Sequence, residues 1–201
     1  MLDNYTETEV KLYVPDLAAV AKRLEEVGAK LSKPRIYEIN VRYDDPRGKL
    51  RRGRKVLRLR HDTRVRLTYK DESGVQTSGV ARSRYEAEVE VSDFDAMEVI
   101  LAKLGYHRYM TYEKYRTTYE LNGAEVTLDE MPYGNFVEIE GDDESISHAL
   151  ERLQLQDAPR LAAGYTTLFE NVKHYLGLDV QDLTFANFEG VVVPMEAFES
   201  T

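Results

Sequence analysis

One pattern recurs along most of this chain: short runs in which every second residue is charged and the residues between are apolar. "YTETEVKLYV" at 5–14 places Glu7, Glu9 and Lys11 on one side of a strand and Val10, Leu12 and Val14 on the other, because strand side chains alternate faces with period two. The split returns in later segments. Leu57, Leu59, Val65, Leu67, Ala87, Val89, Val91, Val126, Leu128, Val137 and Ile139 share the apolar faces. Arg58, Arg60, Arg66, Lys70, Arg84, Glu86, Glu88, Glu90, Lys114, Arg116, Asp129, Glu138 and Glu140 share the charged ones. An open sheet with helices on one side would turn its charged face to water. Solvated strand faces, however, mix Thr, Ser, Gln and Lys, whereas here charged groups fill most of the face and their signs are grouped. Acidic pairs at i, i+2 sit on the first and last strands, and basic pairs on the middle ones. A barrel of about eight strands gives each strand an inside and an outside. With the apolar faces packed outward against helices, the charged faces line a tunnel. Such a lumen is costly to build dry, so it holds water, ions or a polyanion.

The segments between strands read as follows. Pro15-Asp16 opens a helix with Leu17, Val20, Ala21, Leu24 and Val27 on one side and Gly28 at its end. "PRGKLRRGRK" (46–55) is a Gly- and Arg-rich turn or loop, 56–62 and 64–72 form a hairpin, and "ESGVQTSG" (72–79) is a second loop. Ser92 and Asp95 have the spacing of a capping box, followed by a stripe of Phe94, Met97, Ile100, Leu101 and Leu104 expected to be buried. Strands at 112–121, 124–131 and 135–141 are joined by Asn122-Gly123 and by Pro132-Tyr133-Gly134, the first a strong hairpin signal. Helical spacing then links Ile146, Ala149, Leu150 and Leu153, and again Leu161, Tyr165, Leu168, Phe169, Val172 and Leu176. Residues 1–177 are expected to form one α+β domain, and 178–201 an acidic extension without steady periodicity.

A chain of 201 residues has room for a substantial core. No apolar run approaches the roughly 20 residues of a membrane span, and the N-terminus lacks the pattern of a secretory signal, so a cytoplasmic protein without membrane contact is expected. The net charge of −9 argues against general nucleic-acid affinity. It also requires that cations be gathered locally if a polyanion is to bind. With no cysteine, any metal must sit on oxygen or histidine, and His61, His107, His148 and His174 lack metal-ligand spacing. No G-x-x-x-x-G-K-[ST] loop is present, so phosphate would be held by side chains.

Glu7-x-Glu9-x-Lys11 near the N-terminus resembles the signature of the CYTH superfamily, the triphosphate tunnel metalloenzymes. The order of the later segments is similar too. "NVRYDDPRGKLRRGRKVLRLR" carries the basic pair Arg58 and Arg60, "LTYK" ends in Lys70, and "RYEAEVEV" is the acidic strand. "EKYR" supplies Lys114 and Arg116, and "TLDEMPYGNFVEIEG" is the closing hairpin. The similarity spans roughly residues 5–175, with Asn40 and Arg42 standing where Asp and Tyr are frequent in the family. The resemblance implies a closed eight-stranded antiparallel barrel with helices outside, whose tunnel holds a triphosphate and Mg2+ or Mn2+. Glu7, Glu9, Glu138, Glu140 and Asp129 would then be metal ligands, being hard oxygen donors. Lys11, Arg58, Arg60, Lys70, Arg84, Lys114 and Arg116 would bind phosphate oxygens. Lys11, Glu88, Glu90 and Asp129 would serve the chemistry, with Glu86 ranked below them.

The activity implied is metal-dependent hydrolysis of a linear triphosphate, inorganic or organic. The class IV adenylate cyclase reaction, ATP to cyclic AMP and pyrophosphate, is the alternative, and a non-catalytic polyphosphate or nucleotide sensor is a second. Hydrolysis is preferred because it asks only for a triphosphate clamp, and no separate adenine-recognition signal is found. The expected partner is a triphosphate-containing small molecule, and a homodimer is allowed for.

Overall fold

The computed structural model describes residues 6–78 and 81–199, with side chains for 7–71 and 85–199. Its strands are β1 (Thr6–Tyr13), β2 (Lys30–Asp44), β3 (Lys55–His61), β4 (Val65–Ser78), β5 (Ala81–Val91), β6 (His107–Leu121), β7 (Ala124–Met131) and β8 (Gly134–Glu140). The helices are α1 (Leu17–Glu26), α2 (Lys49–Arg52), α3 (Phe94–Lys103), α4 (Asp143–Arg152) and α5 (Tyr165–Leu176). All strand pairs are antiparallel, in the order β1-β5-β4-β3-β2-β6-β7-β8, and β8 returns to β1. The expected eight-stranded antiparallel sheet with helices outside is therefore present.

Closure is tighter in hydrogen bonding than in shape. The β1–β5 seam is only four pairs long, Thr6–Glu9 against Arg82–Tyr85. Beyond it, residues 86–91 of β5 pair only with β4 among the described residues. The ring of strands closes, but at this seam the two strands part after four pairs, so the barrel is less tightly sealed than the cylinder expected. Two later segments complete the wall where neighbouring strands are missing. Tyr13 N donates to Pro159 O (2.9 Å) and Leu161 N to Lys11 O (2.9 Å), so residues 159–161 line the free edge of β1. Leu183 pairs with the free edge of β6, between Thr111 and Glu113.

The apolar faces point outward, as alternation requires. Val10, Leu12, Val126, Val137 and Ile139 pack under Val20 and Leu24 of α1 and Ile146, Ala149 and Leu150 of α4. A second core joins Phe136 and Met110 to Leu168, Phe169 and Val172 of α5 and to Leu183, Phe188, Ala197 and Phe198. The acidic 178–199 stretch is thus packed against the barrel through its few large apolar residues. Asn122 and Gly123 both have positive φ, 48° and 88°, which is the backbone that the β6–β7 hairpin turn needs.

Three local expectations differ. The loop foreseen at 72–79 is strand as far as Ser78. A register shift between Asp71 and Gln76 lets β4 run on and keep pairing with the start of β5. "PRGKLRRGRK" contains one helical turn, α2. At α3 the cap is Asp93, whose Oδ1 accepts from Ala96 N (2.8 Å), rather than Ser92. Of the α3 stripe only Leu101 is buried, while Ile100 and Leu104 are exposed. The helix meets the sheet over a small cluster with Val41, Tyr43 and Leu59, too narrow to cover a full helical face.

Candidate active site: a charged lumen

Strand alternation turns the charged faces of the barrel inward around a cavity of about 320 Å3. Its lining includes Glu7, Glu9, Lys11, Arg58, Arg60, Arg66, Lys70, Glu88, Lys114, Arg116, Glu138 and Glu140, so residues far apart in the sequence meet in one space.

The acidic side is built by β1 and β8. Glu9 lies opposite Glu140 and Lys11 opposite Glu138 in the ladder, with Glu7 two residues further along β1. Burial, then the neighbouring Glu9 and Glu125, pushes the Glu140 carboxyl up to about 7. Burial and a hydrogen bond to Glu86 push Glu7 up to about 8. Burial works against ionisation of Glu86 as well, but the Glu7 hydrogen bond, Lys70 and Arg58 together hold it below the usual carboxylate range. Of this pair, Glu7 is the carboxyl that favours its proton and Glu86 the one that favours its charge. Carboxyls this crowded need a cation or a proton among them.

Glu138 is different. It pairs with Lys11 (3.1 Å) and Arg116 (2.6 Å). Burial opposes its charge, yet Lys11, Arg116 and Lys114 hold it well below its ordinary value. Asp129 is fully buried behind the lumen wall, accepting from Lys114 (3.0 Å), from Arg116 through Nε (2.6 Å) and Nη2 (2.5 Å), and from Tyr165 OH (2.7 Å). Both acids are hubs of ion-pair networks.

The basic side comes from β3, β4 and β6. Lys70 pairs with Glu86 and reaches Glu7 at 3.8 Å. Arg66 pairs with Asp62 and lies 3.4 Å from Glu88. Arg58 donates to Tyr112 OH (3.2 Å) and Thr68 Oγ1 (3.1 Å), and Arg60 Nε donates to Asn40 Oδ1 (3.1 Å). Burial alone would raise the Tyr112 phenol, but Arg58, with Arg60 and Lys114, brings it down to about 8. That shift registers a concentration of positive charge.

One end of the lumen is occupied by the start of α5. Lys11 Nζ donates to Ala163 O (3.4 Å) and lies 4.2 Å from the centre of the Tyr165 ring. Arg42 Nη1 donates to Thr166 Oγ1 (3.1 Å), tying β2 to the same helix.

Most residues foreseen as site residues therefore line one cavity. Glu90 does not: it is exposed and paired with Arg64 (3.0 Å). Arg84 stands opposite Glu7 in the β1–β5 ladder, and its side chain lies outside the described residues. Glu38 was not singled out in the sequence, yet it is buried 3.6 Å from Arg60 and 3.7 Å from Lys114. Burial opposes its charge, but Lys114 and Arg60 hold its carboxyl far below its ordinary value. Carrying the alternation of "YEINVRYDD" one step back from Asn40 would have found it. Tyr165 had no such signal, because helical spacing marked it only as core.

Among the described residues no three histidines or carboxylates are gathered closely enough to enclose a metal ion, and the four histidines form no cluster. The donors nevertheless fit a hard divalent cation: Glu7, Glu9 and Glu140 offer carboxylate oxygens from two adjacent strands at the point where like charges crowd. Water and ligand oxygens would complete the shell.

Residues 5–162 match the family profile of the CYTH domain. The chain belongs to the CYTH family. This CYTH protein is 28% identical over 136 residues to a protein of Methanocaldococcus jannaschii named as a candidate adenylate cyclase, which covers 67% of this chain and 75% of that one. Its fold is similar to a Vibrio parahaemolyticus structure likewise described, with a TM-score of 0.69 at 19% identity over 83% of this chain and 98% of that one. It is also similar to a Hippeastrum protein described as a candidate adenylyl cyclase with a dominant triphosphatase activity, with a TM-score of 0.62 at 20% identity over 82% and 95%.

Proposed function

We propose that this CYTH protein hydrolyses a linear triphosphate with the help of Mg2+ or Mn2+. The observation that carries this reading is the segregation of charge within one cavity. Crowded carboxyls on β1 and β8 face a basic wall on which Arg58 and Arg60 have no carboxylate closer than 3.7 and 3.6 Å among the described residues. A triphosphate offers these arginines closer, charge-assisted contacts than the carboxylates of Glu88, Glu86 and Glu38, which stand at 3.7, 4.0 and 3.6 Å.

In this reading Arg58, Arg60 and Lys114 grip non-bridging phosphate oxygens, while Lys11 and Arg116 are held in place by Glu138 and Asp129. Glu7, Glu9 and Glu140 would hold the divalent cation, which would supply charge neutralisation at the phosphates and a more acidic water. A water oxygen forms a bond to the terminal phosphorus, and the bridging P–O bond breaks with its electron pair going to the diphosphate. Orthophosphate leaves, and the water proton passes to a carboxylate of the lumen. Glu88, on the rim, is the group best placed to orient that water. Asp129 and Glu138 act as positioning residues, their oxygens being engaged by cations.

The cyclase reading is favoured by the name of the Methanocaldococcus jannaschii relative. It requires a seat for adenine, whereas the lumen wall is mainly charged, with Val56 and Ile36 as its aliphatic members. The deciding experiment supplies tripolyphosphate or ATP with Mg2+ or Mn2+ and follows orthophosphate, pyrophosphate and cyclic AMP. Hydrolysis predicts orthophosphate release that EDTA abolishes. Cyclic AMP with pyrophosphate would assign the cyclase, and tight binding without turnover would leave a sensor. No helix among the described residues is long and apolar enough to cross a membrane, and the assay is designed for protein in solution.

A further inference from the structure

Most cations of the lumen already face a carboxylate. Lys11 lies 3.1 Å from Glu138, Lys114 3.0 Å from Asp129, Arg58 3.7 Å from Glu88 and Arg60 3.6 Å from Glu38. Arg42 lines the same cavity, half-buried on β2, and among the described residues no carboxylate comes within ion-pair reach of it. The next acid on its face of β2, Asp44, is engaged elsewhere. Its Oδ1 accepts from Asp45 N (2.8 Å) and Leu50 N (2.9 Å), and its Oδ2 from Arg51 N (3.0 Å) and Arg51 Nε (3.1 Å). The contacts that Arg42 does make are neutral. Nη1 donates to Thr166 Oγ1 (3.1 Å), and the guanidinium lies 5.9 Å from the centre of the Tyr109 ring. Nε is buried without a hydrogen-bond partner among the described residues.

We infer that Arg42 is a further phosphate-binding residue, which extends the basic wall to the end of the lumen where α5 begins. The inference rests on the triphosphate reading and deepens it. The β2–β3 ladder places Arg42 directly opposite Arg58, and like charges in that relation repel each other. An anion seated between them turns the repulsion into two attractions. The same cross-strand row continues from Arg58 to Thr68 and from Thr68 to Glu88. A terminal phosphoryl group seated on this row would have Arg42 and Arg58 on one side and Glu88, with the water it orients, on the other. Charge alone does not make the seat, because a loose cation forfeits conformational entropy when it binds. Here Thr166 fixes one amino group of the fork, and as a neutral acceptor it leaves the positive charge uncompensated. The other cations of the wall must exchange a carboxylate for phosphate, whereas Arg42 has none to give up.

The test measures the dissociation constant for inorganic tripolyphosphate in EDTA, and the urea midpoint of ligand-free protein, for the wild type and two full-length variants. Arg42→Gln should weaken binding about tenfold, the scale of a single charge-assisted hydrogen bond to phosphate. Its urea midpoint should not fall, because the change also removes the repulsion with Arg58. Thr166→Val keeps the charge and cuts only the tie to α5, so it should weaken binding less than Arg42→Gln does. Unimpaired Arg42→Gln binding beside a binding wild type overturns the inference alone. So does an affinity loss in Arg42→Gln that comes with a lower urea midpoint, or one that Thr166→Val equals, since either makes Arg42 a strut between β2 and α5. A wild type that does not bind tripolyphosphate overturns the triphosphate reading itself, and this inference with it.

Discussion

Asp129 accepts four hydrogen bonds from Lys114, Arg116 and Tyr165 and has no exposed surface. Removing it would leave two buried cations without their shared partner, a loss of about 3–5 kcal/mol for breaking a buried pair from one side. Asp129→Ala is therefore expected to lower the urea-unfolding free energy by that order, and activity would fall with it. Glu9 gives the contrast. It belongs to a crowded acidic set, and its removal relieves repulsion with Glu140. Glu9→Ala should abolish metal-dependent phosphate release with the far-UV circular dichroism and urea midpoint retained. A Glu9→Ala protein with full Mg2+-dependent turnover would remove Glu9 from the ligand set.

At the level of elements, the β1–β8 pair sets a pH dependence of its own. Glu7 and Glu140 have carboxyls raised to about 8 and about 7 from an ordinary value of 4.5. Between 4.5 and 8 the folded protein therefore binds more protons than the unfolded chain, and stability falls as pH rises through that window. Glu138, Glu86 and Glu38 are shifted the other way, so their contribution is present above about pH 4.5 and is lost on acidification below it. In EDTA the thermal midpoint should decline from pH 5 to pH 8. Added Mg2+ should stabilise progressively more across the same range, because the ion replaces the protons that the carboxyls give up. A midpoint that rises steadily to pH 8 in EDTA would contradict the crowded-carboxyl description. Scanning calorimetry at several pH values measures both trends.

Across the whole molecule, the aromatic cluster at the end of the barrel links the C-terminal stretch to the site. Phe198 packs on Tyr13, Tyr133 and Phe136 with ring centres 5.3, 5.5 and 5.6 Å apart. Tyr133 OH donates to Tyr165 O (2.8 Å), and Tyr165 reaches Asp129. Residues beyond 162, outside the CYTH match, thus hold part of the lumen wall in place. Phe198→Ala should cost about 3–5 kcal/mol, the usual range for truncating a buried Phe. Chemical denaturation would show it, and turnover should fall although Phe198 touches no lumen residue named in the mechanism.

Period-two alternation was enough to state that Val10, Leu12, Val137 and Ile139 face one way and Glu9, Lys11, Glu138 and Glu140 the other, because backbone geometry leaves a strand no other choice. It also identified the lumen as charged, and the Asn122-Gly123 turn fixed a hairpin register. Pattern could not say which charged groups consume one another. Glu138 and Glu140 look identical in the sequence, two positions apart on one face. One is neutralised by Lys11 and Arg116, while burial and the neighbouring Glu9 push the other up toward keeping its proton, and only the convergence of β1, β6 and β8 decides between them. Tyr165, Thr68 and the packing of residues 178–199 lie beyond the sequence for the same reason. A residue's local period reports the face it occupies, whereas its partners come from strands and helices brought together only when the sheet curls.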